Sequence, residues 1–121
     1  MIRHILLIDD DSLVLKSLKK LLCRENYAVT LAGSFEEAMT AILQTDFALV
    51  ISDIRMPGKD GVETTRTIQD VLIKAGKKDL PIIFMTGFSG EDLRLNASSI
   101  GETLYKPIDA QKLLLAIRDY L

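Results

Sequence analysis

The chain has one cysteine, one histidine, almost no net charge and no long hydrophobic run, and each shortage excludes something. Cys23 is the only cysteine in 121 residues, so an intrachain disulfide cannot form. With His4 as the only histidine, a Cys/His zinc cluster is not available either. The 15 basic and 17 acidic residues give a formal net charge of -2, which provides no general attraction to nucleic acid or to an anionic membrane. Unbroken apolar runs such as Ile5-Leu6-Leu7-Ile8 and Ile82-Ile83-Phe84-Met85 are far too short to span a bilayer. The N-terminus lacks the hydrophobic core of a signal peptide. There is no G-x-G-x-x-G, and Gly76-Lys77 lacks the earlier P-loop glycine, since position 71 is Val71. The expectation is a soluble cytoplasmic protein with no membrane partner and no direct nucleic-acid contact. No repeat, low-complexity segment or linker is visible, so residues 1–121 read as one domain. At 48% hydrophobic and 26% charged residues, the chain can bury a real core.

Short apolar runs alternate with longer helical patterns. Residues 4–9 read as a first strand. Residues 12–25 follow as a helix with Leu15, Leu18 and Leu22 on one face. Ala28–Ala32 is a second strand. Ser34 caps the next helix and Glu37 completes a capping box, with Ala38, Ala41 and Ile42 on the apolar face. Phe47–Ser52 is the third strand. Residues 62–75 are helical, with Thr65, Ile68 and Leu72 in register and Gly76 at the C-terminal cap position. Pro81–Thr86 is the fourth strand, and 90–98 is a short helix with Leu93 and Ala97 spaced by four. Thr103–Tyr105 is the fifth strand. Asp109 caps a last helix whose Leu113, Ala116, Ile117 and Leu121 face inward. This (βα)5 order, with strands that read as continuous apolar runs, predicts a doubly wound parallel sheet of order 2-1-3-4-5, a flavodoxin-like three-layer α/β sandwich. Ligands of such sheets sit beyond the carboxyl ends of the strands, so strand ends are where chemistry is expected.

The first strand ends in Asp9-Asp10-Asp11, the third in Asp53, the fourth in Thr86 and the fifth in Lys106. Each has a bland reading. Asp9–Asp11 could cap the first helix, and Asp53 could cap the turn before Met56-Pro57-Gly58. Thr86 and Lys106 could be ordinary strand-end and surface residues. Their convergence on one rim is harder to treat as chance. Clustered carboxylates repel one another and a divalent cation relieves that. An all-oxygen site selects a hard ion, with Mg²⁺ the best fit and Mn²⁺ the alternative. Two acids from the first strand, Asp53, Mg²⁺ and Lys106 together sum formally to zero. A phosphoryl group could then be added, positioned and neutralised, and a carboxylate is a known nucleophile in that chemistry.

The segments "LLIDDD" at 6–11, "ISDIRMPGKDG" at 51–61, "IIFMTG" at 82–87 and "YKPI" at 105–108 resemble the receiver domains of two-component response regulators, typified by the chemotaxis receiver. The resemblance covers nearly the whole chain. It implies that Asp53 is the phospho-acceptor, loaded by a histidine kinase or histidine phosphotransfer protein in a Mg²⁺-dependent reaction. It implies that Asp10 binds the ion directly, Asp9 mainly through water, and the main-chain carbonyl of Arg55 as a third protein ligand. Thr86 and Lys106 would each hold a phosphoryl oxygen, and the Lys106-Pro107 bond would be cis. Arg55 and Phe88 would flank the phosphoryl group and tune its lifetime. The signal would pass to an output protein or a covalently linked output domain through a surface formed by the 90–98 helix, the fifth strand and the last helix. The domain would not be a turnover enzyme, and would be a monomer or weak dimer.

Three features depart from that pattern. The switch position three residues before the lysine, usually Tyr or Phe, is Thr103. The usual Gly-Ala segment is Ser99-Ile100-Gly101-Glu102, and Gly87 stands where Ala is common. Tyr105, two residues from Thr103 and so on the same strand face, is expected to take part of the signalling role. Leu13-Val14-Leu15 cannot all point inward at about 100° per residue; they are either a wide apolar stripe or part of a docking surface for a kinase helix pair. Lys16, Lys19, Lys20 and Arg24 read most simply as a solvated face, Cys23 as a small core residue and His4 as an ordinary strand-start residue. Two other functions compete. A haloacid-dehalogenase-like phosphatase would use Asp9-x-Asp11 but needs a further acid pair after the lysine, where only Asp109 and Asp119 follow. A non-phosphorylated receiver would act only as a binding module.

Overall fold

The computed structural model describes residues 3–54, 61–87 and 101–121. Within them the chain forms β1 (His4–Ile8), α1 (Ser12–Arg24), β2 (Ala28–Ala32), α2 (Phe35–Gln44), β3 (Leu49–Asp53), α3 (Gly61–Lys74), β4 (Ile82–Thr86), β5 (Glu102–Tyr105) and α4 (Ala110–Tyr120). The strands pair in parallel in the order β2-β1-β3-β4-β5, the expected doubly wound sheet. The expected 90–98 helix and the Met56-Pro57-Gly58 corner lie outside the described residues.

Alternation along the strands builds two cores. Leu6, Ile8, Val50, Ile82 and Phe84 pack against α2 and α3. Ile5, Leu7, Leu49, Ile51, Ile83 and Met85 pack against α1 and α4. Because both faces are covered, β1, β3 and β4 show no polar alternation. Each such side chain contributes roughly 1.5–3 kcal/mol when fully buried.

The helix ends follow from capping chemistry. Asp11 Oδ1 accepts from the Leu13 and Val14 N–H groups at 2.9 and 3.4 Å. Asp109 Oδ1 accepts from Gln111 and Lys112 N–H at 2.9 and 3.1 Å. Ser34 Oγ accepts from Glu37 N–H at 3.2 Å, but Glu37 reaches back to the Gly33 N–H, one residue earlier than a capping box requires. Gly76 closes α3 with a φ of 70°, the left-handed conformation that glycine adopts at no steric cost.

Two expectations need correction. β3 begins at Leu49 and runs through Asp53, so the carboxylate belongs to the strand itself. Phe47 is buried ahead of it, with its ring edge-on to His4 at 4.8 Å. Cys23 is exposed rather than in the core. The buried line of α1 is Leu15, Leu18 and Leu22, and one more residue rotates Cys23 out of it. The run Leu13-Val14-Leu15 divides as its helical spacing requires, with Leu15 buried, Val14 half-buried and Leu13 72% exposed. His4 Nε2 lies 2.7 Å from Thr30 Oγ1 across β1 and β2. Among the described residues, no helix is long and apolar enough to cross a membrane.

Candidate functional site

The strand register assembles the site. Ile8 pairs with Ser52, so the next residues, Asp9 and Asp53, emerge side by side from neighbouring strands. Both are buried. Lys106 follows β5, two strands away, and its stem must cross the end of β4. Its backbone N–H donates to the Thr86 carbonyl at 2.8 Å. Gly87 lies beneath its stem, where an added Cβ would stand 3.8 Å from Lys106 Cβ. The Lys106-Pro107 peptide is cis. Lys106 Nζ donates to Asp9 Oδ2 at 3.1 Å and to Asp53 Oδ2 at 3.0 Å, bridging the two carboxylates.

The remaining oxygens are divided in use. Asp9 Oδ1 accepts from the Asp11 N–H at 2.9 Å. Asp9, Asp10 and Asp53 can each offer a carboxylate oxygen, all within 4.8 Å of one another. Asp10 is exposed while the other two are buried. The donor set is all oxygen and includes the exposed Asp10, which suits a hard divalent cation that keeps some of its water. Among the described residues, one ammonium, bonded to Asp9 and Asp53, beside a cluster of three carboxylates leaves negative charge for that cation to balance. Burial pulls the Lys106 pKa down, but hydrogen bonds to Asp53 and Asp9, together with their charges, outweigh it and hold the pKa above the ordinary lysine value.

Thr86 ends β4 on the same rim and is buried. The pairing of Asp53 with Met85 sets Thr86 one residue beyond the aspartate. Tyr105, half-exposed, is the register partner of Thr86. Thr103 pairs instead with Phe84, and its buried Oγ1 has no hydrogen-bond partner among the described residues. Arg55 and Phe88 lie outside the described residues. Asp109 is occupied as a helix cap and Asp119 lies on α4, so neither supplies the extra acid pair that the phosphatase reading needs.

Gly61 immediately precedes the 62–75 helical pattern in the sequence. In the structure it is a close-approach position: its N–H donates to the Ile54 carbonyl at 2.7 Å, and a Cβ there would lie 1.8 Å from the Asp53 carbonyl oxygen. Gly101 plays the same part for β5, where a Cβ would stand 2.1 Å from the Ile82 carbonyl oxygen. That contact accounts for a glycine in the altered segment before the strand.

The sequence profile of the family described as response regulator receiver domain matches residues 5–118. The transcriptional regulatory protein ResD of Bacillus subtilis (strain 168) is 33% identical over 119 residues, covering 97% of this chain and 47% of ResD. The transcriptional regulatory protein FixJ of Bradyrhizobium diazoefficiens is 34% identical over 116 residues, covering 94% of this chain and 54% of FixJ. The chain thus spans about half the length of these relatives. Among solved structures, the signal receiver domain of an HD domain-containing protein from Pseudomonas fluorescens Pf-5 superposes with a TM-score of 0.89 at 28% identity, covering 99% of this chain and 94% of that one. The chemotaxis protein CheY4 of Vibrio cholerae, 23% identical, shares the fold with a TM-score of 0.87 over 100% of both chains. With the profile matched from Ile5 to Arg118 on a five-stranded sheet of the same kind, the chain belongs to the response regulator receiver domain family of two-component systems.

Proposed function

We propose that Asp53 accepts a phosphoryl group from a phosphohistidine of a histidine kinase or phosphotransfer protein. The observation that carries this reading is Lys106 Nζ, held between Asp9 and Asp53 beside a three-carboxylate cluster. An Asp53 oxygen attacks phosphorus, the P–N bond breaks, and the imidazole leaves with the bonding pair. Lys106 exchanges its bond to Asp53 Oδ2 for one to a phosphoryl oxygen, and the Thr86 hydroxyl donates to another. Mg²⁺, or Mn²⁺, when bound supplies positive charge to the equatorial oxygens. Exposed Asp10 would hold the ion directly and Asp9 through water, with the main-chain carbonyl of Arg55 as the further ligand. The added charge shifts a surface that includes β5 and α4, read by an output protein or a linked output domain. The names of ResD and FixJ point to a transcriptional output. In this reading the domain works in the cytoplasm as a monomer or weak dimer and does not turn over substrate.

Phosphoryl uptake from a small phosphodonor, followed by intact mass, will require Mg²⁺ and will stop when the ion is chelated. Asp10→Asn will weaken Mg²⁺ binding by at least about tenfold, read by calorimetry independently of phosphorylation. An unchanged affinity would remove Asp10 from the ion site.

Tyr105 is assigned the coupling role that Thr103 lacks. It stands beside Thr86 in register, so a phosphoryl group that draws on Thr86 alters the ring's surroundings. Tyr105→Ala should take up phosphate at the wild-type rate but lose the phosphorylation-induced amide shifts along α4. A full set of those shifts in the variant would contradict the assignment.

A further inference from the structure

A cleft of about 330 Å³ opens between the last turns of α2 and α3, at the amino ends of β3 and β4 and so at the opposite end of the sheet from the acid cluster. Its floor is apolar. Ile42, Phe47 and Leu72 are core side chains that border it, and half-buried Leu80 completes it. Its rim is charged. Lys77 Nζ donates to Asp46 Oδ1 at 2.9 Å. Lys78 is exposed and, among the described residues, forms no ion pair. Two ammonium groups against one carboxylate leave the described rim with positive charge in excess.

Helix-end electrostatics account for Lys74, in the last turn of α3. They do not account for Lys77 and Lys78, which lie beyond that turn and border the cleft. The Lys77–Asp46 pair is exposed on both sides, so it contributes little and leaves Lys77 able to donate elsewhere. An apolar floor with a few charged groups at the mouth has the make-up of a small-molecule site. A water takes up about 30 Å³ of the liquid, so the cleft has room for about ten non-hydrogen atoms. A peptide laid on this floor would press its amide groups against hydrocarbon without partners, whereas an alkyl or aryl group would not.

We propose that this cleft binds a small amphipathic carboxylate, its hydrocarbon body on Ile42, Phe47, Leu72 and Leu80 and its carboxylate accepting from Lys77 and Lys78. Phe47 and Leu80 each lie two residues before a strand, β3 and β4. The Val50 N–H donates to the Pro81 carbonyl at 3.1 Å, which ties the two strand starts together beside the cleft. Asp53 lies at the far end of β3, roughly 20 Å from Phe47 at about 3.3 Å per residue. The ligand therefore does not touch the acid cluster, and its binding does not rest on the phosphoryl-transfer reading.

The test titrates the full chain with octanoate, which has ten non-hydrogen atoms, and follows backbone amide shifts. Butanoate, octanol and octylammonium are titrated in parallel. The expected result is saturable shifts at residues 45–48 and 77–80 with octanoate, at a dissociation constant of about 1 mM. Butanoate should bind at least about tenfold more weakly for want of buried methylenes. Octanol, lacking the charge, and the Lys77→Gln/Lys78→Gln variant with octanoate should each lose about fivefold in affinity. Octylammonium should bind more weakly than octanol. Lys20→Gln, on α1 and away from the cleft, should bind octanoate as wild type does. These substitutions are at exposed positions, so the variants should fold, and their amide spectra without ligand check that they do. No saturable shifts with octanoate, shifts centred elsewhere, equal binding of octylammonium, or unchanged octanoate affinity in the Lys77→Gln/Lys78→Gln variant would each overturn the proposal.

Discussion

A Gly61→Ala protein will melt about 10 °C below the wild type and take up phosphoryl groups more slowly. The added Cβ would lie 1.8 Å from the Asp53 carbonyl oxygen, 2.8 Å from its carbon and 3.0 Å from Ile54 Cα. These are backbone atoms at the end of a buried strand, so no flexible side chain can yield. Either α3 moves away from β3 or the Asp53 peptide shifts. Over-packing of this kind costs about 3 kcal/mol. The gain in helix propensity from Gly to Ala, about 1 kcal/mol at most, does not offset it. Displacing the Asp53 backbone also moves its carboxylate relative to Lys106, so stability and reactivity fall together. Gly87→Ala is the control: among the described residues its Cβ meets only Lys106 Cβ, at an ordinary 3.8 Å, and stability should stay within about 0.5 kcal/mol of wild type. Thermal melts of the two variants measure the contrast. Equal melting temperatures would contradict the close approach at Gly61.

Lys106→Met will lose about 2 kcal/mol at neutral pH without divalent ions and will be phosphorylated far more slowly. Removing one partner of a buried ion pair costs more than the pair contributes, because the other charge is left uncompensated. Here two buried carboxylates lose their shared donor. The estimate is kept below that for a fully buried pair because 25% of the Lys106 side chain is exposed. Mg²⁺ should restore part of the loss by binding the same carboxylates. The pH dependence has a definite sign. The folded-state pKa of Lys106 lies above the ordinary value of 10.5, so its contribution is fully present below 10.5 and is lost as pH rises through the folded-state value. Denaturant unfolding of wild type and variant across the alkaline range should converge there. Parallel curves throughout would show that the bridge does not contribute to stability.

The parts of this molecule that were legible in the sequence share a physical cause. Strands covered on both faces must be apolar throughout, so Ile5–Ile8 and Ile82–Met85 announce themselves and their alternation with helices fixes the topology. A charged residue at the end of such a strand stands out for the same reason, which is how Asp9, Asp53 and Lys106 were found. Capping is equally local, and Asp109 behaves as read. Facts that depend on two distant segments meeting were not legible. Nothing near Gly61 or Gly101 announces that another strand's carbonyl lies within 2.1 Å of where a Cβ would be. Cys23 sits at the margin of the apolar stripe, and only the packing of Leu22 decides the phase. That the Thr103 hydroxyl has no hydrogen-bond partner among the described residues likewise depends on what β4 and β5 place around it. The lysine bridge is an intermediate case: its residues were legible, but not that one Nζ would bond both carboxylates.

The most direct test of the account is peptide mapping by mass spectrometry after incubation with Mg²⁺ and a small phosphodonor. The predicted result is an adduct of roughly one phosphoryl mass, about 80 Da, on the peptide containing Asp53, absent when the ion is chelated and absent from Asp53→Ala. An adduct that persists in Asp53→Ala, maps to another residue or forms without a divalent ion would contradict it.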